Sequence, residues 1–265
     1  MSNVIETAEL RREFGPVVAV DGLSLHIEPG EVFGLLGPNG AGKTTTIKML
    51  ITLLPPTSGR ALVAGYDIAR EPRLVRRSIG YVPQLLSSDG ALSAVENLDI
   101  SARLYHIPSA DRRRRIDEAL EFMGLAEVGS NLVRTYSGGM IRRLEIAQAM
   151  LHRPPVLFLD EPTVGLDPTA RRAVWEHVRR LRDDEGTTIL LTTHYMEEAA
   201  ELCERVAIMH LGKLVALGTP ASLADAVGPD TSLDDVFTHY TGGNLDEGGT
   251  YRDVARTRRT AHRLG

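Results

Sequence analysis

The sequence holds a single cysteine, Cys203, in 265 residues. That excludes a disulfide framework and a cysteine-based zinc site, and it fits a reducing cytoplasm. Long apolar runs are also missing. The longest aliphatic stretches, such as Met49 to Leu54 and Ile189 to Leu191, fall far short of the roughly 18 residues that cross a bilayer. The opening residues, MSNVIETAELRREFG, lack the basic segment and apolar run of a signal peptide. Any role at a membrane is therefore expected to come through a partner. An excess of positive charge is absent too: 30 Lys and Arg stand against 35 Asp and Glu, a net charge of −5, which argues against a protein that coats nucleic acid. No internal repeat is visible. What is present is ordinary for a globular chain, with 43% hydrophobic and 25% charged residues, so disorder and fibrous architectures are excluded. The length suits one large domain, or two small ones with a short appendage.

Leu23, Leu25 and Ile27 alternate with polar neighbours, the pattern of a half-buried strand, closed by a turn at Glu28-Pro29-Gly30. Val32 to Leu36 is nearly unbroken apolar sequence, as a strand buried on both faces requires. Ile79 to Val82, Val156 to Leu159 and Thr188 to Thr193 have the same character. A glycine-rich loop after Leu36 leads to a helix expected over Thr44 to Leu54, stopped by Pro55-Pro56. Asp167-Pro168 supplies an N-cap and a first-turn proline to a helix with Ala170, Ala173, Val174, Val178 and Leu181 on one face. Alternating strands and helices imply a largely parallel sheet with helices on both faces. Residues 90 to 151 differ. A capping box at Ser93 and Glu96 precedes Val95, Leu98, Ala102 and Tyr105; Ile116, Leu120 and Met123 mark a second helix; Ile141, Leu144, Ala147 and Leu151 mark a third. This is expected to be a helical subdomain inserted in the α/β core. A hairpin around Gly212 and a short helix near Ser222 should follow. The segment from Asp246 to Gly265 carries five arginines against three acids and few apolar residues, and is expected to be a mobile tail.

Gly37-Pro38-Asn39-Gly40-Ala41-Gly42-Lys43-Thr44 fits the pattern G-x-x-x-x-G-K-[ST]. Its glycines let backbone N–H groups turn inward around phosphate oxygens, and the following helix points its positive end at the same anion. Lys43 would reach the outer phosphates, and the Thr44 hydroxyl would hold Mg²⁺. The motif lies after a buried strand and before a helix, where that mechanism needs it. Val156 to Leu159 is an apolar strand that ends in Asp160 and Glu161. Asp160 is placed to hold Mg²⁺ directly or through water, and Glu161 to polarise a water beside the γ-phosphate. A kinase would use the same Asp, but it would also need an acceptor site that the sequence does not display.

With further motifs added, the chain resembles the ATP-binding subunit of ABC transporters over about residues 4 to 225. Tyr136-Ser137-Gly138-Gly139-Met140 resembles the LSGGQ signature loop that sets this family apart from other phosphate-loop ATPases. Gln84, after Tyr81-Val82-Pro83, matches the glutamine loop; Gly165-Leu166-Asp167 matches the D-loop; His194, after Thr192-Thr193, matches the switch histidine. Phe14, 29 positions before Lys43, sits where the family places an aromatic that stacks on adenine. These motifs fall in the family's order. Tyr136 and Met140 depart from the usual Leu and Gln of the signature, and Val164-Gly165 from the usual Ser-Ala of the D-loop, while the Ser137-Gly138-Gly139 core is intact. The YSGGM form and the Ser232-Leu233-Asp234-Asp235-Val236-Phe237 stretch resemble the drug-exporter branch, which includes daunorubicin-type resistance ATPases.

The resemblance implies a P-loop NTPase core of the α/β class, a largely parallel sheet flanked by helices, with an antiparallel β portion and the inserted helical subdomain. An ABC ATP-binding domain is expected over residues 1–225, its helical subdomain at about 90–151, and a C-terminal extension over 226–265. It also implies ATP and Mg²⁺. Residues Gly37 to Thr45 would cradle the triphosphate, Phe14 the adenine, and Thr44, Asp160 and Gln84 the metal. Glu161 would be the general base, with His194 and Gln84 as its catalytic companions. Ser137, Gly138, Gly139 and Asp167 would act across a head-to-tail, ATP-sandwiched dimer, because one chain has one phosphate loop and one signature loop. A paralogous partner instead of a second copy stays open. The remaining partner implied is an integral membrane permease subunit, which places the chain peripherally on the cytoplasmic face of the membrane; no nucleic acid is expected. The alternative is a soluble ABC-type ATPase in DNA, translation or assembly processes. Long coiled coils and a second such domain, which mark the DNA and translation relatives, are not visible. The transported substrate is not legible. Arg112 to Arg115 is expected to be a solvated helix face beside Asp111, Asp117 and Glu118. His152, His177 and His210 lack metal-ligand spacing; Trp175 is expected in core or interface, and Cys203 as a small buried apolar residue.

Overall fold

The computed structural model describes residues 3–242. The chain opens with β1 (Ile5–Phe14) and β2 (Val17–Ile27), an antiparallel pair in which Ile5 faces Ile27. Leu23, Leu25 and Ile27 are buried as their alternation predicts. β3 (Val32–Leu36) and α1 (Lys43–Leu50) follow, then β4 (Ser58–Val63), β5 (Tyr66–Asp67), α2 (Pro72–Arg77) and β6 (Ile79–Val82). Next come α3 (Ala94–Leu104), α4 (Ser109–Phe122) and α5 (Gly138–Met150), with no strand among the described residues between β6 and β7 (Val156–Asp160). α6 (Pro168–Glu185), β8 (Thr188–Thr193), α7 (Met196–Leu202), β9 (Arg205–His210), β10 (Lys213–Gly218), α8 (Pro220–Val227) and α9 (Leu233–Thr241) complete the chain.

The strands form two sheets. An antiparallel sheet has the order β2-β1-β4-β5, and a mixed one the order β10-β9-β3-β8-β7-β6, parallel except at β10. The parallel strands are mainly apolar because they feed two cores. Phe33, Leu35, Phe158, Leu190, Ala207 and Met209 face the antiparallel sheet and α1. Their neighbours Val32, Leu36, Leu157, Leu159, Leu191, Val206 and Ile208 face the core built with α3 to α9.

Local signals act where they were expected. Ser93 and Glu96 close a capping box on α3, and Asp167 caps α6 ahead of Pro168. α1 ends at Leu50 rather than Leu54. Thr52 takes φ +64°, and the N–H groups of Leu53 and Leu54 both turn back to the Lys48 carbonyl at 2.9 and 3.0 Å. The helix thus unwinds before the prolines, as the disfavour for helical residues ahead of Pro requires. The boundary expected at residue 225 falls inside α8. Beyond it, Ser232 caps α9 through a box with Asp235, and Leu233, Val236 and Phe237 enter the helical core. The arginine-rich stretch from Asp246 onward lies outside the described residues.

Because Phe237 is 1% exposed inside that core, Phe237→Ala is expected to lower stability by about 3–5 kcal/mol in urea unfolding. A loss below about 1 kcal/mol would show that α9 is not part of the cooperative unit.

Candidate active site

Four parallel strands end side by side. The register sets Leu36 against Thr193, Thr192 against Asp160, and Leu159 against Val82. The residues that follow β3, β8, β7 and β6 therefore emerge along one carboxyl edge, the usual place for a ligand in an α/β sheet. These are the glycine-rich loop, His194, Glu161 and Gln84.

The loop from Gly37 to Gly42 is pressed against the chain on both sides. A Cβ at Gly42, which has φ +106°, would meet the Ala19 carbonyl at 2.4 Å, and one at Gly37 would meet the Met209 carbonyl at 2.5 Å. Only glycine fits at either place. α1 starts at Lys43 with no side-chain cap and no acid in its first turn, so the first-turn N–H groups around Thr44 and Thr45 are left for an anion. Lys43 is buried, and its ammonium donates to the Gly37 carbonyl at 2.7 Å and to that of Pro38 at 3.4 Å. It also lies 3.4 Å from Glu161 Oε1. Burial lowers its pKa, against the pull of Glu161 and Asp160.

Asp160 closes β7. Its Oδ1 accepts from Thr192 Oγ1 at 2.6 Å and from Thr44 Oγ1 at 3.2 Å. Burial pushes its carboxyl above the usual range, with the Thr192 bond opposing. Glu161 has φ +49°, a strained conformation for a residue with a side chain. The turn is held by its own N–H, which donates to the Thr192 carbonyl at 3.1 Å and to Thr192 Oγ1 at 3.0 Å. The Glu161 carboxylate accepts from Gln84 Nε2 at 2.8 Å and lies 3.4 Å from His194 Nδ1. Burial raises its pKa, but the facing imidazole of His194 and the Lys43 ammonium outweigh it, and the net direction is down. Glu161 is thus held as a carboxylate. The His194 ring in turn leans on Tyr195, their centroids 4.3 Å apart.

Lys43, Thr44, Gln84, Asp160, Glu161 and His194 therefore share one site. The signature residues sit elsewhere in the same chain. Ser137 caps α5, accepting from the Met140 N–H at 3.3 Å. A Cβ at Gly139 would lie 2.8 Å from Ala170, and one at Gly138 would lie 3.2 Å from Leu166. The signature turn thus rests on the D-loop and the start of α6, where Asp167 Oδ1 accepts from the N–H groups of Thr169 and Ala170 at 2.9 Å. Phe14 ends β1, 46% exposed, with the Arg12 guanidinium 4.6 Å from its ring centre.

Sequence reasoning assigned no role to Thr192, although two threonines ending an aliphatic strand are a visible polar signal. It also missed Glu198 on α7, fully buried, whose Oε1 accepts from Thr163 Oγ1 at 2.8 Å and Trp175 Nε1 at 2.9 Å. The residues set aside have ordinary surroundings. Arg113 and Arg114 pair with Asp117, Asp111 and Glu118, each at 2.9 Å. His152 stacks on Tyr105 at 3.7 Å, and burial pushes it down to about 4. Among the described residues no group of three His, Cys, Asp or Glu is arranged to hold a metal ion.

Known proteins resemble this chain in sequence and fold. The ABC transporter family profile matches residues 20–164. The daunorubicin/doxorubicin resistance ATP-binding protein DrrA of Streptomyces peucetius is 47% identical over 227 residues, covering 86% of this chain and 68% of its own. The linearmycin resistance ATP-binding protein LnrL of Bacillus subtilis strain 168 is 40% identical over 230 residues, 87% of this chain and 74% of its own. A solved structure of the ATP-binding subunit of an ABC transporter superposes with a TM-score of 0.79 at 31% identity, covering 89% of this chain and 99% of that one. A phosphate loop facing two strand-end carboxylates, in a chain this similar to such subunits, makes it a member of the ABC transporter family and the ATP-hydrolysing subunit of a transporter.

Proposed function

We propose that the chain hydrolyses Mg²⁺-bound ATP at a site completed by a second copy of itself, and that the resulting closure and release drive export of a drug or lipophile through a separate membrane subunit. The observation that carries this reading is Glu161, fixed as a carboxylate by Lys43, Gln84 and His194 beside the phosphate loop. Lys43 and the backbone from Gly37 to Thr45 bind the triphosphate, while Phe14 offers a half-exposed ring to the adenine. Glu161 takes the proton of the attacking water, and Gln84 and His194 hold that water and the γ-phosphate in line. Thr44, Asp160 and the side-chain amide oxygen of Gln84 are hard oxygen donors, and the buried Asp160 carboxyl suits a cation, so these residues fit Mg²⁺. When bound, the ion supplies neutralisation of charge on the β- and γ-phosphate oxygens.

The case for a second copy is geometric. Ser137 and Gly138 are exposed at the N-terminus of α5, and Gly138 and Gly139 lie against Leu166 and Ala170, not against the phosphate loop of the same chain. A head-to-tail dimer would bring them, with Asp167, over the partner's ATP, as hydroxyl and N–H donors to phosphate. The chain would sit peripherally on the cytoplasmic face of the membrane, held there by a separate permease subunit; no helix among the described residues is long and apolar enough to cross a membrane. The resistance functions named for its relatives favour this reading over a soluble ABC-type ATPase.

Glu161→Gln is expected to cut hydrolysis by about 10²-fold or more while ATP binding persists, and to accumulate an ATP-bound dimer on gel filtration; undiminished turnover would remove Glu161 as the base. Lys43→Ala should weaken ATP binding itself in calorimetry, and unchanged affinity would argue against the loop assignment. Tagged Glu161→Gln protein with ATP, recovered from detergent-solubilised native membranes, should bring down a protein with several membrane spans. Recovery of soluble proteins or nucleic acid alone would shift the function to the non-transport branch.

A further inference from the structure

One turn beyond the signature residues, α5 carries an arginine wholly inside the protein. Arg142 is 1% exposed, and Glu145, one turn on, is 3% exposed. Burying a guanidinium is costly unless its N–H groups are paired. One terminal nitrogen of Arg142 donates to the Pro83 carbonyl at 2.7 Å and to Glu145 Oε2 at 2.9 Å; the other donates to the Gln84 carbonyl at 2.8 Å. Glu145 Oε1 accepts from the N–H of Ser87 and, at 3.1 Å, from its hydroxyl. Outside the ion pair itself, these bonds all go to residues 83–87, the segment that leaves β6. On that segment the side chain of Gln84 donates to Glu161 at 2.8 Å.

A planar fork spans two successive carbonyls in a way that the point charge of a lysine does not. A pair serving only to fill space would have no need to converge on one short loop. We propose that Arg142 is a positioning residue for hydrolysis. Its fork holds the carbonyls of Pro83 and Gln84 so that the Gln84 amide stays on Glu161, and Glu145 pins the far end of the loop. The inference rests on the reading of Gln84 and Glu161 given above. It has a mechanical consequence. The helix that begins with Ser137 to Gly139 and the loop that carries Gln84 move as one body, so the seating of the signature turn is transmitted to the base of the same chain.

The test is a double-mutant cycle on ATP turnover, with ATP affinity and thermal melting measured alongside. Arg142→Lys keeps a cation against Glu145 but loses the two-carbonyl grip. It is expected to lower kcat about tenfold or more, with ATP affinity nearly unchanged and no further loss when added to Gln84→Ala. Arg142→Met with Glu145→Leu removes the buried pair without stranding a charge. It should melt cooperatively and show the same fall in kcat, which separates positioning from folding. Full kcat in folded Arg142→Lys, or a loss that persists undiminished in the Gln84→Ala background, overturns the proposal. A fully active Gln84→Ala protein sinks the underlying reading of Gln84 and this proposal with it. A slow Gln84→Ala beside a fully active Arg142→Lys sinks only the proposal.

Discussion

The hydroxyl of Thr192 touches both acidic residues at once. It donates to Asp160 Oδ1 and accepts from the backbone N–H of Glu161. Asp160 is the last residue of a buried strand, and Glu161 the first residue out of it, in a left-handed conformation that costs energy unless something holds it. Thr192 lies directly across the sheet on β8, so the strand pairing supplies the restraint. If β7 slipped by one residue against β8, the two carboxylates would exchange faces, and the hydroxyl could no longer hold Asp160 Oδ1 and the Glu161 N–H together. The core that fixes this register, with Phe158 and Leu190 on one side and Leu157, Leu159 and Leu191 on the other, therefore sets the position of Glu161, the base in the proposed mechanism.

Electrostatics depends on that placement. Two carboxylates are buried within reach of one ammonium and one imidazole. They respond in opposite directions: Asp160 is pushed up by burial, while Glu161 is brought down by His194 and Lys43 despite burial. Neighbouring carboxylates driven apart in this way are suited to separate tasks. In the proposed mechanism those tasks are holding the cation for Asp160 and accepting a proton for Glu161. Lys43 is engaged with the Gly37 carbonyl and Glu161, so in the proposed mechanism a triphosphate would compete with both for its ammonium.

What the sequence displayed was whatever is local. The glycine loop, the apolar strand runs, the Ser93 box and the Asp167-Pro168 start are each written within a few residues. The antiparallel sheet is only partly written so. In β1 the pairing with β2 shifts register several times and Glu9 takes φ +50°, which breaks the alternation that would announce a strand. α2 and α7 have six and seven residues, too few to show a helical period. The α9 stretch has Leu233, Val236 and Phe237 at helical spacing, yet nine residues are too few to set that period apart from chance. Arg142 and Glu198 were illegible for a different reason. Charged residues on a helix are read as solvent-facing by default, and only the folded chain shows the carbonyls, hydroxyl and indole that receive them.

The departures in the signature loop follow the same inside-outside division. Tyr136 is buried, and its hydroxyl donates to the Val128 carbonyl at 2.6 Å. Met140 packs against the helical core. Between them Ser137 and Gly138 are exposed, and Gly139 is hemmed in by Ala170. Leu to Tyr and Gln to Met thus exchange one way of packing α5 for another. The hydroxyl and N–H groups that a phosphate would meet belong to the residues that do not vary from the family pattern. Position 136 faces inward and must find a partner for whatever it carries, whereas position 137 must be free to meet one from outside. That difference in what each side chain faces explains how the loop departs from its consensus at both ends while its exposed centre keeps the family's residues.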